Sequence, residues 1–117
     1  MILVDTSVWI DHLRNGNDRL RTLLDAAEVL VHPFVVGELA LGVLKRRGAF
    51  LDLLAEMPQA PVASCAEVLR FVERRNLIGK GIGYVDAHLL ASSVLADTRI
   101  WTLDARFGQV ARALDIA

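Results

Sequence analysis

The sequence predicts an α/β domain with a mainly parallel central sheet of four to five short strands, flanked by helices in three layers. Short apolar runs typical of buried strands alternate with helical segments over 117 residues. The run at residues 1–4 leads into Asp5, and a later run at residues 99–103 leads into Asp104. Ligands of parallel sheets bind just beyond the carboxyl ends of the strands. We therefore expect both carboxylates at one edge of the sheet.

Turn and capping residues divide the chain into its predicted elements. The predicted strands are residues 1–4, 28–31, 62–63 and 99–103, and the predicted helices are residues 6–13, 18–27, 34–44, 49–56, 64–76, 84–96 and 105–114. The turn sequence at residues 15–17 ends the first helix, and Asp18 is placed to cap the second. Pro33 suits the first turn of the third helix, and Pro58 breaks the chain after the fourth. A glycine-rich loop at residues 79–83 precedes the sixth helix.

Length and composition predict a single domain over residues 1–117, without repeats or low-complexity segments. No run approaches the roughly 20 apolar residues of a membrane span, and a strand that begins at Met1 leaves no room for a signal peptide. The one cysteine, Cys65, excludes an intramolecular disulfide and is typical of a reducing compartment. We expect a cytoplasmic protein that binds no membrane.

The overall charge gives no sign of a nucleic-acid partner. The net charge is −1, from 13 basic and 14 acidic residues. Two divalent cations on the carboxylates would add +4 and change this −1 to +3. Apolar residues make up 54% of the chain, which is high for a small domain, so we expect part of this surface to face a second subunit.

Glu38 is the only charged residue of the predicted helix at residues 34–44, which is apolar nearly all round. We therefore expect this helix, and Glu38 with it, to be buried. An unpaired buried carboxylate costs several kcal/mol, so Glu38 must be protonated, ion-paired or bound to a cation. A structural ion pair with an arginine is the alternative to a cation site.

The other three acids each have a simpler interpretation as helix caps or first-turn residues. Asp5 and Asp104 directly precede predicted helices, and Asp86 lies in a first turn, where an acid favours the helix dipole. Taken together with Glu38, however, the four carboxylates would repel one another without a cation. Oxygen ligands without cysteine or histidine favour Mg²⁺ or Mn²⁺ over zinc. The histidines have no zinc-site spacing, and we interpret His88 as packed or on the surface.

Magnesium clusters of this kind commonly serve phosphodiester hydrolysis, in which the metal activates water and stabilises the leaving oxygen. The hydroxyls of Thr6, Ser7 and Thr102 are adjacent to the predicted carboxylates. Such hydroxyls orient ligands through outer hydrogen bonds. The residues alone therefore predict a metal-dependent hydrolase that acts on phosphodiesters.

Four segments, in order along the chain, combine the predicted acids with their apolar and hydroxyl neighbours: residues 3–10 (LVDTSVWI), 36–42 (VGELALG), 81–91 (GIGYVDAHLLA) and 101–107 (WTLDARF). With these segments the chain resembles the PIN-domain ribonucleases, and specifically the VapC toxins of bacterial and archaeal toxin–antitoxin pairs. The resemblance covers the whole chain. It implies a PIN-like domain with Asp5, Glu38, Asp86 and Asp104 as the metal-binding and catalytic acids.

The resemblance also implies an activity and partners. Members are Mg²⁺-dependent endoribonucleases that cut transfer, ribosomal or messenger RNA and so arrest translation. They usually form homodimers, and a cognate VapB antitoxin inhibits them through its C-terminal tail. Contact with DNA is then indirect, because the N-terminal part of the antitoxin binds the operator. Charge and expected proximity make five basic residues candidates for RNA binding: Arg14, Lys45, Arg46, Lys80 and Arg106.

Three other classes of protein are alternatives at this point. A phosphatase of the haloacid-dehalogenase type also begins with a strand that ends on Asp, but it requires a second Asp where this chain has Ser7. A receiver domain requires a lysine after a late strand, where this chain has Arg106. A non-catalytic interaction module would use the acids only as caps, which does not explain Glu38 in the middle of a helix.

Overall fold

The computed structural model describes residues 1–117, with ten elements. The strands are β1 (Ile2–Val4), β2 (Val29–Leu30) and β3 (Arg99–Trp101), and the helices are α1 (Thr6–Asn15), α2 (Asp18–Asp25), α3 (Pro33–Ala40), α4 (Arg47–Glu56), α5 (Cys65–Arg74), α6 (Tyr84–Ala96) and α7 (Ala105–Ala113). The predicted α/β class is confirmed. No helix is both long and apolar enough to cross a membrane.

The sheet has three parallel strands in the order β2-β1-β3, so the prediction of four to five strands is wrong. Residues 62–63 form no strand. A fourth strand is reduced to one bridge between Val31 and Gln59, with hydrogen bonds of 2.9 Å from Val31 N to Pro58 O and 2.7 Å from Ala60 N to Val31 O. Pro58 and Pro61 lie on either side of this bridge and have no N–H to extend a ladder.

The core lies around the central strand β1. Leu3 and Val4 are fully buried, and the main cluster of 20 buried apolar residues includes Trp9 of α1, Leu90 of α6 and Phe107 of α7. Burying β1 on both faces holds its carboxyl end, and therefore Asp5, at a fixed position between neighbouring strands. Asp5 N donates to Trp101 O at 2.9 Å, which links the ends of β1 and β3.

The helix predictions are confirmed in number, and α6 matches its predicted bounds. The third helix is shorter than predicted, because α3 ends at Ala40 and residues 41–46 lead away to α4. Gly42 N bonds to Leu39 O at 3.1 Å just beyond the last turn, where glycine commonly ends a helix. Asn17, not Asp18, caps α2, since its side chain accepts from Leu20 N.

A buried pair of polar side chains joins α3 to α6. His32 caps α3 by accepting from Phe34 N through Nδ1 at 3.0 Å, and its Nε2 lies 3.0 Å from Ser92 Oγ. Because Nδ1 accepts, the imidazole proton is on Nε2 and is donated to Ser92. His88 of α6 is 2% exposed, with its ring centroid 4.6 Å from that of Phe34. His88 is therefore packed, one of the two alternatives the sequence left open.

Burial should make the fold sensitive to acid through His32. Desolvation, with a smaller effect from the charge of His88, lowers the pKa of His32 from 6.5 to about 4. The stability that neutral His32 contributes is therefore fully present above pH 6.5 and is lost as the pH falls from 6.5 towards 4. We expect the free energy of unfolding to decrease by up to about 3 kcal/mol over this window.

Urea unfolding of the wild type and of His32→Asn across this pH range tests the prediction, since asparagine can still cap α3. His12→Asn is the matched control and should keep the wild-type pH dependence. Parallel pH profiles for the wild type and His32→Asn would contradict it.

Candidate functional site

The four predicted acids come from three parts of the fold. Asp5 follows β1 directly, and Asp104 follows β3 after Thr102 and Leu103. Because β1 and β3 are adjacent and parallel, both acids lie at the carboxyl edge of the sheet, as predicted. Glu38 comes from α3 and Asp86 from the first turn of α6.

Asp5 is held by two hydroxyls from different segments. Thr102 Oγ1 donates to Asp5 Oδ2 at 2.7 Å, and Ser7 Oγ donates to the same oxygen at 2.8 Å. The two hydroxyl oxygens are 3.1 Å apart, and since each has one proton, both protons can serve Asp5. Asp5 is 7% exposed, so these bonds replace most of its hydration.

The same hydroxyls bind the backbone that leads to Asp104. Leu103 N donates to Ser7 Oγ and Asp104 N donates to Thr102 Oγ1, each at 3.0 Å. Ser7 and Thr102 therefore position both Asp5 and the segment that carries Asp104. Asp104 also caps α7 by accepting from Phe107 N through Oδ1 at 2.8 Å. The capping interpretation thus holds for Asp104, whereas Asp5 makes no side-chain cap bond to α1.

Glu38 is exposed, so the prediction that it is buried is wrong. The prediction assumed that the helix continues past residue 41 and covers the carboxylate, but α3 ends at Ala40 and Leu41 is 90% exposed. Neither of the two salt bridges in the structure includes Glu38, which also excludes the arginine pair weighed above. Its partner is Thr6, whose Oγ1 donates to Glu38 Oε1 at 2.7 Å.

Asp86 is half-buried and accepts from Gly83 N through Oδ2 at 3.1 Å. Desolvation raises the pKa of Asp86 above its usual 3.8, and the Gly83 bond opposes this. The negative charges of Asp5, Asp104 and Glu38 raise the pKa further. Solvent and salt screen charges that are far apart. The effect of these three carboxylates on Asp86 therefore means that the four acids lie near one another.

Each of the four carboxylates is hydrogen-bonded through one oxygen only. The bonded oxygens are Asp5 Oδ2, Glu38 Oε1, Asp86 Oδ2 and Asp104 Oδ1. The bond to the first oxygen orients each carboxylate, and the second oxygen accepts no protein hydrogen bond. Four oxygens are therefore left for a ligand. Sequence reasoning named the acids and the hydroxyls, but only the structure shows this division.

A divalent cation with oxygen ligands fits this donor set. No three acidic, histidine or cysteine side chains are close enough together to hold one ion directly. Mg²⁺ keeps several of its waters and needs only one or two direct carboxylates, so the wider group can bind through water. The repulsion that raises the pKa of Asp86 is the interaction that a cation would remove.

Four of the five basic candidates line two clefts. Arg14 and Lys45 line a cleft of about 460 Å³ that includes Glu38, Leu39 and the exposed Val43. Lys80 and Arg106 line another cleft, of about 370 Å³. Arg46 lines neither of these clefts; it is an exposed residue with left-handed backbone at the start of α4.

Comparisons with known proteins agree with this fold. The PIN domain family model matches residues 2–113. The chain is 54% identical over 107 residues to Ribonuclease VapC32 of Mycobacterium tuberculosis, in strains CDC 1551 / Oshkosh and ATCC 25618 / H37Rv. The match covers 91% of this chain and 86% of the relative.

Two solved structures share the fold at low sequence identity. The crystal structure of FitAcB from Neisseria gonorrhoeae matches with a TM-score of 0.66 and 22% identity, over 96% of this chain and 94% of that chain. The structure of FitAB bound to an IR36 DNA fragment matches with a TM-score of 0.65 and 22% identity, over 96% and 91% of the two chains.

Removing the charge of Asp86 should stabilise the metal-free protein. Because the pKa of Asp86 is raised in the folded state, its ionisation opposes folding, and stability is lost as the pH rises through its titration. Asp86→Asn keeps an oxygen for Gly83 N and should raise the melting temperature at neutral pH in EDTA by a few degrees. The gain should disappear in acid, where the wild-type carboxyl is protonated.

Calorimetry at several pH values measures this effect. Asp52→Asn, at an exposed position on α4, is the matched control and should leave the melting temperature unchanged. A lower melting temperature for Asp86→Asn at neutral pH would show that the carboxylate stabilises the fold instead.

Proposed function

The chain belongs to the VapC ribonucleases of the PIN-domain family, and we propose on this basis that it is a metal-dependent endoribonuclease toxin. It hydrolyses RNA phosphodiester bonds and thereby inhibits translation, with Mg²⁺ or Mn²⁺ as its cofactor. The observation that carries the proposal is the set of four carboxylates whose charges act on one another, each bonded to the protein through one oxygen only.

The four unbonded oxygens would bind the cation, one or two of them directly and the others through its bound waters. Such a cation supplies charge for the transition state of phosphodiester hydrolysis and lowers the pKa of bound water. The protein's own contribution is to orient the ligands before substrate arrives. Ser7 and Thr102 fix Asp5, Thr6 fixes Glu38, and backbone N–H groups fix Asp86 and Asp104. Orientation of this kind improves both affinity and rate.

We also propose two protein partners, a second copy of this chain and a VapB-type antitoxin. Exposed apolar side chains supply surface for both, among them Leu69, Leu95, Leu41 and Val43. The antitoxin would occupy the cleft beside Glu38, where Ile10, Leu13 and Val43 offer an apolar lining next to the site.

A homodimer would show a mass of twice 12.9 kDa by light scattering. The proposed complex acts in the cytoplasm and contacts DNA only through the antitoxin.

Cleavage of total RNA by antitoxin-free protein tests the activity. We expect cutting at discrete sites in Mg²⁺ or Mn²⁺ and none in EDTA. Asp5→Asn should reduce the rate by more than about 100-fold, beyond the usual loss for an outer hydrogen-bonding partner. Asp52→Asn is the matched control and should cut at the wild-type rate. Metal-independent cutting, or full activity of Asp5→Asn, would contradict the proposal.

The hydroxyl of Thr102 should matter to activity without a comparable effect on folding. Thr102→Val keeps the shape of the side chain but removes the donor to Asp5, and we expect a roughly 10- to 100-fold loss of activity and of metal affinity. Thr98→Val is the control, because the Thr98 hydroxyl is buried without a hydrogen-bond partner. Equal activity of the two variants would show that Thr102 does not position Asp5.

A further inference from the structure

A second group of polar residues, outside the carboxylates, lines the cleft of about 370 Å³ between the segment at residues 75–80 and α7. We call this the basic cleft and define it by Arg75, Lys80 and Arg106, with the amides of Asn76 and Gln109 and the apolar Leu77. Sequence reasoning named Lys80 and Arg106 by charge alone. It missed Arg75, Asn76 and Gln109, which no local motif distinguishes from other exposed residues.

The charge of the basic cleft is not compensated by the protein. Its nine lining residues include three cations and no acid. The two salt bridges of the structure, Arg21–Asp18 and Arg99–Asp115, involve none of the three cations. A concave surface lined by one sign of charge focuses its field and raises the local concentration of anions.

The segments that line the basic cleft also carry or bind two of the carboxylates. Arg106 is two residues beyond Asp104 on α7, and the loop that carries Lys80 continues to Gly83, whose N–H binds Asp86. The two segments are in contact, because a Cβ atom added to Gly81 would lie 3.5 Å from Cγ and Cδ of Arg106. Gly81 also has φ +80°, where other residues are strained.

We propose that the basic cleft binds one nucleotide of single-stranded RNA beside the bond that is cut. The proposal rests on the proposed ribonuclease function and adds a substrate-binding site to it. Lys80 and Arg106 bind the phosphate of this nucleotide, Arg106 with the fork geometry that suits phosphate oxygens. The base lies against Leu77, and the amides of Asn76 and Gln109 offer donors and acceptors to its edge.

Two physical features favour a single strand over a duplex. Base edges become available to side chains when a base is unstacked, as in loops and single strands, whereas duplex RNA hides them in a narrow groove. A volume of about 370 Å³ also falls within the range of pockets that enclose a small ligand, which suits one nucleotide better than a helix. Because the proposal assigns the phosphate to Lys80 and Arg106 and the base edge to Asn76 and Gln109, the two sets of residues have separable effects.

The first test is RNA binding by the Asp5→Asn protein, which should not cut its ligand. Short fluorescein-labelled single-stranded RNA of random sequence is titrated in Mg²⁺ at several salt concentrations, with anisotropy as the readout. Adding Lys80→Ala or Arg106→Ala should weaken binding about tenfold at low salt, as for loss of one charged hydrogen bond. Each substitution should also make the salt dependence shallower: the plot of the logarithm of the binding constant against the logarithm of the salt concentration falls less steeply, by about 0.7 in slope. Arg21→Ala, whose arginine is paired with Asp18, is the matched control and should change neither quantity.

The second test separates recognition from affinity. In the active protein, Gln109→Ala should change the nucleotide preference at one position next to the cut, as read by sequencing the ends of cleaved RNA. Arg21→Ala should reproduce the wild-type profile.

Failure of this proposal differs from failure of the ribonuclease function. If the wild type cuts RNA but Lys80→Ala and Arg106→Ala bind with unchanged affinity and salt slope, the basic cleft is not a substrate site. An unchanged cleavage profile for Gln109→Ala would overturn the base-recognition role. If the wild type neither cuts nor binds RNA, both proposals fail together.

Discussion

The hydrogen bonds from Ser7 and Thr102 to Asp5 are the interaction on which the site depends. They join the residue after β1 to the segment after β3, and they place a carboxylate that is almost fully buried. A buried charge without such donors would cost several kcal/mol. The sheet supports this arrangement, because two adjacent parallel strands bring their carboxyl ends to one edge and their hydroxyls within reach of one acid.

Bringing four acids near that edge has an electrostatic cost: burial raises the pKa of Asp86, and the charges of the other three acids raise it further. The fold gives each carboxylate a donor for one oxygen and leaves the other without a protein donor. Cations lie beside the acids instead of among them, in the cleft with Arg14 and Lys45 and in the basic cleft. The acids and these basic residues form no salt bridges with one another. The acids are therefore available to a metal ion and the basic residues to a polyanionic substrate.

Errors in the sequence-based expectations came from interactions between distant segments. The apolar sequence around Glu38 predicted burial, but α3 ends two residues later and the following chain turns away, so local hydrophobicity gave the wrong environment. The strand predicted at residues 62–63 failed for a related reason, since the only pairing available in that region is the bridge at Gln59 between two prolines. By contrast, the helix predicted from residue 64 is present as α5, and the capping box of Ser64 and Glu67 that begins it is a local interaction.

The sequence by itself determined the parallel α/β class and the order of the seven helices and three observed strands, and it singled out four acids as site candidates. The class and the order follow from periodicity, caps and strand ends, which are properties of neighbouring residues. Only the tertiary structure decided which oxygen of each acid is free, that Glu38 is exposed and held by Thr6, and that Arg75, Lys80, Arg106 and Gln109 share one cleft. Asp86 and Asp104 are oriented by N–H groups in neighbouring turns, but Asp5 and Glu38 are oriented by hydroxyls distant in the chain. The shared cleft also joins distant residues, and the exposure of Glu38 depends on where a helix ends, so no local pattern records them.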